Sequence, residues 1–218
     1  MGYNVAIDGP AGAGKSTIAK LVAKEKGYIY VDTGAMYRGM AIHFLDKGIR
    51  AEETDKIVNA LKDAEVTIRY EEGLQQVYLN GRNITDRLRE EEVGKMASLT
   101  SAIPQVRQKL LELQKGLART QDVIMDGRDI GTCVLPDADV KIYLTASVET
   151  RAKRRYDELT EKGIACDLDE IERDIKERDE RDSTREIAPL KQAEDAVLVD
   201  SSHMTIEEVV AAIVKLCR

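Results

Sequence analysis

The chain has 218 residues, 43% of them hydrophobic and 33% charged, a balance that excludes intrinsic disorder and fits one core with an insertion better than two independent domains. Net charge is −7, from 33 basic and 40 acidic residues, and the longest basic run is Lys153-Arg154-Arg155, so no nucleic-acid or membrane footprint is expected. The longest stretch without charge, Met96 to Val106, is far shorter than the ~20 residues that cross a bilayer, and the N-terminus has no signal-peptide progression, so a cytoplasmic protein is expected.

Val5-Ala6-Ile7 predicts a first strand, followed by a helix over about 15–26 and a second strand at Ile29-Tyr30-Val31. Val66, Ile68 and Tyr70 then alternate with polar residues as far as Glu72-Gly73. Val77 and Leu79 alternate in the same way, and Asn80-Gly81 is a hairpin turn before Ile84. This predicts a small antiparallel meander at about 64–86. After Pro104, Val106, Leu110, Leu113 and Leu117 form a helical stripe. Val123-Ile124-Met125, Val140 to Leu144 and Ala196 to Val199 are three more apolar runs, and the charge-rich segment 145–188 lies between the last two. Ile206, Val209, Val210, Ile213 and Val214 form a last stripe, opened by the capping box Thr205-x-x-Glu208. Continuous apolar strands alternating with helices predict an α/β fold. It has a five-stranded parallel sheet covered by helices on both faces, right-handed crossovers and the meander as an inserted lobe. Cys133, Cys166 and Cys217 match no zinc or redox spacing and are expected to be reduced and mostly buried.

Gly9-Pro10-Ala11-Gly12-Ala13-Gly14-Lys15-Ser16-Thr17 matches G-x-x-x-x-G-K-[ST], the phosphate loop, which arises by chance in a chain of this composition with a probability of roughly 0.7%. Its glycines let the backbone wrap with N–H groups pointing inward, and the following helix adds its positive end. Lys15 reaches the β- and γ-phosphates, and the Ser16 hydroxyl ligates Mg²⁺. Asp126, ending a strand, is placed to orient Mg²⁺ through its waters. Arg38 and Arg128 each follow a strand, at the edge where open α/β sheets bind ligands, and point to an anionic second substrate. Arg178, Arg181, Asp182 and Arg185 share one helical face, and Arg151, Arg154 and Arg155 repeat the spacing one helix earlier. The spacing fits either a solvated helix laced with ion pairs or a mobile arginine lid that neutralises phosphate charge and excludes water. His43, in a helix, and His203, in a loop, are isolated. The guanine-reading Asn-Lys-x-Asp is absent. These residues leave open a kinase of a nucleotide, a kinase of another small molecule and a nucleotide-binding module without catalysis.

The segments 9–17, Asp-Thr-Gly-Ala-Met-Tyr-Arg (32–38), Ala-Ser-Leu-Thr-Ser-Ala-Ile-Pro-Gln-Val-Arg (97–107), Asp-Gly-Arg-Asp-Ile-Gly-Thr (126–132), Ile-Lys-Glu-Arg-Asp-Glu-Arg-Asp (175–182) and Ala-Pro-Leu (188–190) together resemble the bacterial-type cytidylate kinase family, within the nucleoside monophosphate kinases. The resemblance covers essentially the whole chain. It implies transfer of the γ-phosphoryl of ATP-Mg²⁺ to CMP or dCMP, with UMP a poorer acceptor. It implies a single domain over 1–218, with a monophosphate-binding lobe at 33–103 and a lid at about 150–188. ATP would be held by residues 9–17 with Arg151 and Arg155. Ser98, Arg107 and Asp129 would read the cytosine edge, while Tyr37 and Thr33 line the base pocket. Arg38, Arg128 and Arg185 would hold the monophosphate, and Arg178 with Asp182 the ribose. Lys15, Arg128, Arg155 and Arg185 would carry the transfer. Thr33 stands where the family often has Ser; the hydroxyl is kept in a slightly tighter pocket. No partner beyond ATP and CMP or dCMP is implied, and a monomer is expected.

Overall fold

The computed structural model describes residues 2–218 of the chain. In chain order the elements are β1 (Asn4–Asp8), α1 (Lys15–Lys26), β2 (Ile29–Asp32), α2 (Thr33–Asp46), α3 (Thr54–Ala60), β3 (Val66–Glu71), β4 (Leu74–Leu79) and β5 (Arg82–Asn83). They continue as α4 (Glu91–Thr100), α5 (Pro104–Ala118), β6 (Val123–Gly127), β7 (Val140–Thr145), α6 (Val148–Glu161), α7 (Leu168–Thr184), β8 (Val197–Asp200) and α8 (Ile206–Val214). The expected five-stranded sheet has the order β2-β6-β1-β7-β8. β1 runs parallel to β6 and β7, and β7 parallel to β8, with Ile7 opposite Asp126 and Asp8 opposite Gly127. Strands adjacent to β1 lie far from it in sequence, so the chain leaves β1 and returns on either side. That divergence is where such sheets open a crevice at their carboxyl ends.

The chain divides into two compact units, one of residues 1–30 with 121–218 and one of Val31–Thr120. In the first, Val5, Ile7, Ile124, Ile142 and Leu144 pack with Ile18, Val22, Val209, Val210 and Ile213 of α1 and α8 in one buried cluster. Burying a side chain of this size stabilises by about 1.5–3 kcal/mol. The capping box at Thr205 and Glu208 is formed. In the second unit β3, β4 and β5 make the expected antiparallel meander. Both of its turns, Glu72-Gly73 and Asn80-Gly81, place two successive residues at positive φ, the geometry that matches strand twist in a two-residue hairpin. The meander lies on α2 at Gly39, where a Cβ would come within 3.3–3.5 Å of the Val77, Val66 and Ile84 side chains.

Some expectations are corrected. The buried face of α5 is Val106, Leu110, Gln114 and Ala118, while Leu113 and Leu117 are only half-buried. Contact follows the i, i+4 ridge, which runs obliquely to the helix axis, and so departs from the stripe read by hydrophobicity. Ala196 precedes β8 rather than joining it. Of the three free cysteines only Cys217 is buried; Cys133 is exposed and Cys166 intermediate. Among the described residues no helix is long and apolar enough to cross a membrane.

Candidate active site

β1 delivers the chain into the phosphate loop, and the glycines there are sterically required. A Cβ at Gly9 would sit 1.9 Å from the Leu144 carbonyl oxygen, and Gly12 and Gly14 both have left-handed φ, 73° and 83°. Gly14 caps α1 without a side-chain bond, so the first N–H groups of that helix face the loop's mouth as an anion site. Lys15 is buried, and its Nζ donates 2.7 Å to the Pro10 carbonyl oxygen. Burial first, then the neighbouring Arg128 and Arg178 charges, holds its ammonium well below the ordinary lysine value, against the pull of Asp126 and Asp8. A bound polyphosphate would favour the charged form. Ser16 Oγ donates 2.9 Å to Asp126 Oδ2, and the Tyr30 hydroxyl donates 3.0 Å to Oδ1. A hydroxyl and a buried carboxylate are thus brought together at the loop's end, though 110 residues apart in the chain.

β6 ends at Gly127, and Arg128 and Asp129 follow it into a wide helical turn over Ile130–Val134. Arg128 Nε donates 2.9 Å to Asp182 Oδ2 of α7, a pair whose carboxylate is almost fully buried. Asp129 is buried, with Arg185 Nη2 at 3.4 Å from Oδ1. Asp182 therefore reaches an arginine of another strand end instead of making one more ion pair along its own helix. Arg178 and Arg185 belong to the same α7 region, Arg185 as its C-cap.

The charge-rich segment folds as α6 and α7 packed on one another. The three arginines of α6 have three destinations. Arg151 is buried; it donates to Ala146 O at 2.9 Å and Ala11 O at 2.8 Å, and pairs with Asp179. Asp179 in turn accepts the Ala11 N–H at 3.1 Å. Arg154 binds Ser201 O at 2.7 Å. Arg155 is exposed and pairs with Glu158 at 2.9 Å. Arg151 thus holds the phosphate loop's backbone, whereas Arg155 faces solvent.

Thr33, Tyr37, Arg38, Ser98 and Arg107 all belong to the Val31–Thr120 unit. Asp32 caps α2 by accepting the Ala35 N–H at 2.9 Å, which sets the first turn carrying Thr33 and Tyr37. The Arg107 guanidinium lies over the Tyr37 ring at 5.6 Å and donates to Ser101 O at 3.2 Å. Ser98 and Thr33 are buried, and Arg38 is half-buried near Gly34.

Three site residues escaped the sequence reading: Asp8, Tyr30 and Asp179. Asp8 ends an apolar parallel strand just as Asp126 does, and the same argument would have found it. Asp179 carries no local signal, because its partners are 28 and 168 residues away. Asp8 is buried and accepts from the Ile130 and Gly131 N–H groups, both at 2.7 Å.

A glycine loop leaving the central strand of a parallel sheet, with a buried lysine and a serine–carboxylate pair behind it, defines a phosphate-loop protein of the kinase type. The family model for cytidylate kinase matches residues 5–218. The cytidylate kinase of Caldicellulosiruptor saccharolyticus is 51% identical over 213 residues, covering 98% of this chain and 94% of the relative. The protein of the same name from Shouchella clausii is 48% identical over 217 residues, covering 100% and 96%. A solved structure of an uncharacterised protein from Eubacterium ventriosum, 13% identical, aligns with a TM-score of 0.51 over 99% of this chain and 97% of its own, a likeness of fold. The chain belongs to the cytidylate kinase family.

Proposed function

We propose that the protein transfers the γ-phosphoryl group of ATP to CMP or dCMP, giving CDP or dCDP and ADP. The observation that supports this most is the family match over residues 5–218, which runs through every segment carrying the loop, the Asp-Gly-Arg-Asp turn and the charged face of α7. The loop's N–H groups and Lys15 bind the donor phosphates. The Ser16 hydroxyl and Asp126 carboxylate, 2.9 Å apart, are hard oxygen donors that fit Mg²⁺, a cation that keeps waters and takes phosphate oxygens. Ser16 would ligate it directly and Asp126 through water. When bound, Mg²⁺ neutralises charge on the β- and γ-oxygens.

Phosphoryl transfer asks for positioning and charge stabilisation rather than covalent chemistry. Arg128, aligned by Asp182, and Arg185, beside Asp129, supply fixed cations for the acceptor phosphate. Arg38 completes that set. Arg155 would exchange Glu158 for donor phosphate, with Arg151 keeping the loop in shape. Ser98, Arg107 and Asp129 read the cytosine edge; a carboxylate there accepts from the 4-amino group, where uracil has a carbonyl. Tyr37 and Thr33 line the base pocket, and Arg178 with Asp182 contacts the ribose. The working form is a cytoplasmic monomer.

The test is a panel of nucleoside monophosphates with ATP-Mg²⁺, scored by ADP production. CMP and dCMP are expected to be the best acceptors and UMP a poorer one. ADP release that ignores the acceptor, or a non-nucleotide acceptor that outperforms CMP, would overturn the reading.

A further inference from the structure

Asp8 has no part in the chemistry described so far, yet it joins the donor loop to the base-reading turn. It ends β1 one residue before Gly9. Its side chain is buried, and its two oxygens serve two adjacent amides: Oδ1 accepts from Ile130 N–H and Oδ2 from Gly131 N–H, each at 2.7 Å. One bond would leave the turn free to pivot; two fix its orientation as well as its distance. The packing is equally close. A Cβ at Gly131 would lie 3.4 Å from Asp8 Oδ2 and 3.2 Å from Lys141 Cδ. These amides immediately follow Asp129, whose carboxylate is buried beside them.

The acid sits where ionisation is costly. Burial, reinforced by the Asp129 charge, pushes it up to about 6, although the two N–H bonds and Lys15 pull it down. A carboxylate kept in such a place, with both oxygens on one turn, has the character of a functional constraint.

We propose that Asp8 is a positioning residue that sets acceptor selectivity, by locking the turn after Asp129 so that the Asp129 carboxylate is held at the depth needed to meet an amino group of the base. The proposal rests on the reading of Asp129 as the group that accepts from cytosine.

Asp8→Asn keeps the volume but turns an amide NH₂ toward one of the two donors, so one bond must be lost. The measurement is kcat/KM for CMP and for UMP at saturating ATP. The CMP-to-UMP ratio should fall roughly tenfold, the size of one displaced charge-assisted bond. A residue that only supports the fold would lower both acceptors equally. Gly131→Ala adds a methyl that presses on Lys141 Cδ at 3.2 Å and fills the space against Asp8 Oδ2 at 3.4 Å. It therefore shifts the turn on its anchor and should lower the ratio with Asp8 intact, which keeps the test decisive should Asp8→Asn fail to fold. Asp129→Asn is the control. If it lowers the ratio while Asp8→Asn and Gly131→Ala leave it unchanged, the lock is refuted and the base-reading role of Asp129 stands. If Asp129→Asn also leaves the ratio unchanged, the base reading falls and takes the lock with it.

Discussion

The buried Asp8 carboxyl has a measurable consequence for stability. Its pKa rises from the ordinary 3.8 to about 6 on folding, so between those values the folded chain holds more protons than the unfolded one. Stability from this group is fully present below pH 3.8 and is lost as pH rises through 6, a total of about 3 kcal/mol at 1.36 kcal/mol per unit. Between pH 5 and pH 7 the linkage relation assigns about 1 kcal/mol of that loss. Asp129, Lys15, Lys141 and Tyr143 also surround Asp8, and other carboxylates elsewhere titrate in the same range. Comparison with Asp8→Asn cancels the contributions of the distant groups, which the variant retains unchanged, while the charge coupling of Lys15 and Asp129 to the Asp8 carboxyl is lost with it and counts as part of its effect. Urea unfolding of both proteins at pH 5 and pH 7, at equal ionic strength, should show the wild type losing about 1 kcal/mol relative to the variant as the pH rises. A flat difference would mean that the carboxyl titrates alike in both states. A difference of opposite sign would mean that its pKa is depressed by Lys15 and the two amides, and the burial argument would be wrong.

Two further outcomes follow from the donor side. Asp179→Ala and Arg151→Ala should each raise KM for ATP, because together these side chains hold both the N–H and the C=O of Ala11; a double-mutant cycle on unfolding should give a coupling of about 1–3 kcal/mol, and additive effects would show that the pair acts separately. Ser16→Ala should lower kcat on the order of 100-fold, the loss of one preorganised electrostatic contact, while the affinity for metal-free ATP changes little; an equal loss of metal-free binding would remove Ser16 from the Mg²⁺ site.

What could be read from the sequence was what local chemistry determines. Gly9 to Thr17 after an apolar strand carries the full phosphate-loop spacing, and Asn80-Gly81 between alternating residues strongly favours a tight hairpin. Asp126 was legible because it ends a run of buried strand residues. The destinations of Arg151, Arg154 and Arg155 were not: one face of α6 sends them to a loop carbonyl, to Ser201 and to solvent. Helical spacing says which side chains share a face; only the packing of α6 against α7 and the sheet says what that face meets. Asp182 shows the same limit. Its i−4 neighbour Arg178 offered an obvious helical pair, yet its carboxylate binds Arg128, 54 residues away: a carboxylate taken out of water demands a charged partner, and which arginine supplies it is decided by tertiary packing.

These long-range pairs also explain how the loop can be stiff before any ligand arrives. Gly9 is pressed against Leu144, Lys15 is tied to Pro10, and both polar groups of Ala11 are occupied by Asp179 and Arg151. A cradle left to fluctuate would have to be ordered by the nucleotide, at a cost of about 1–2 kcal/mol for each backbone residue fixed. Here much of that ordering is done by folding, and the inward N–H groups remain for phosphate. Asp8 and Asp179 are both carboxylates set against this one loop, where acids oppose an anionic ligand. Each is offset by donors, two amides for Asp8 and Arg151 with an amide for Asp179. Asp179→Asn should therefore remove repulsion and order at once: a raised KM for ATP would show that order is the larger loss, and a lowered KM that repulsion is.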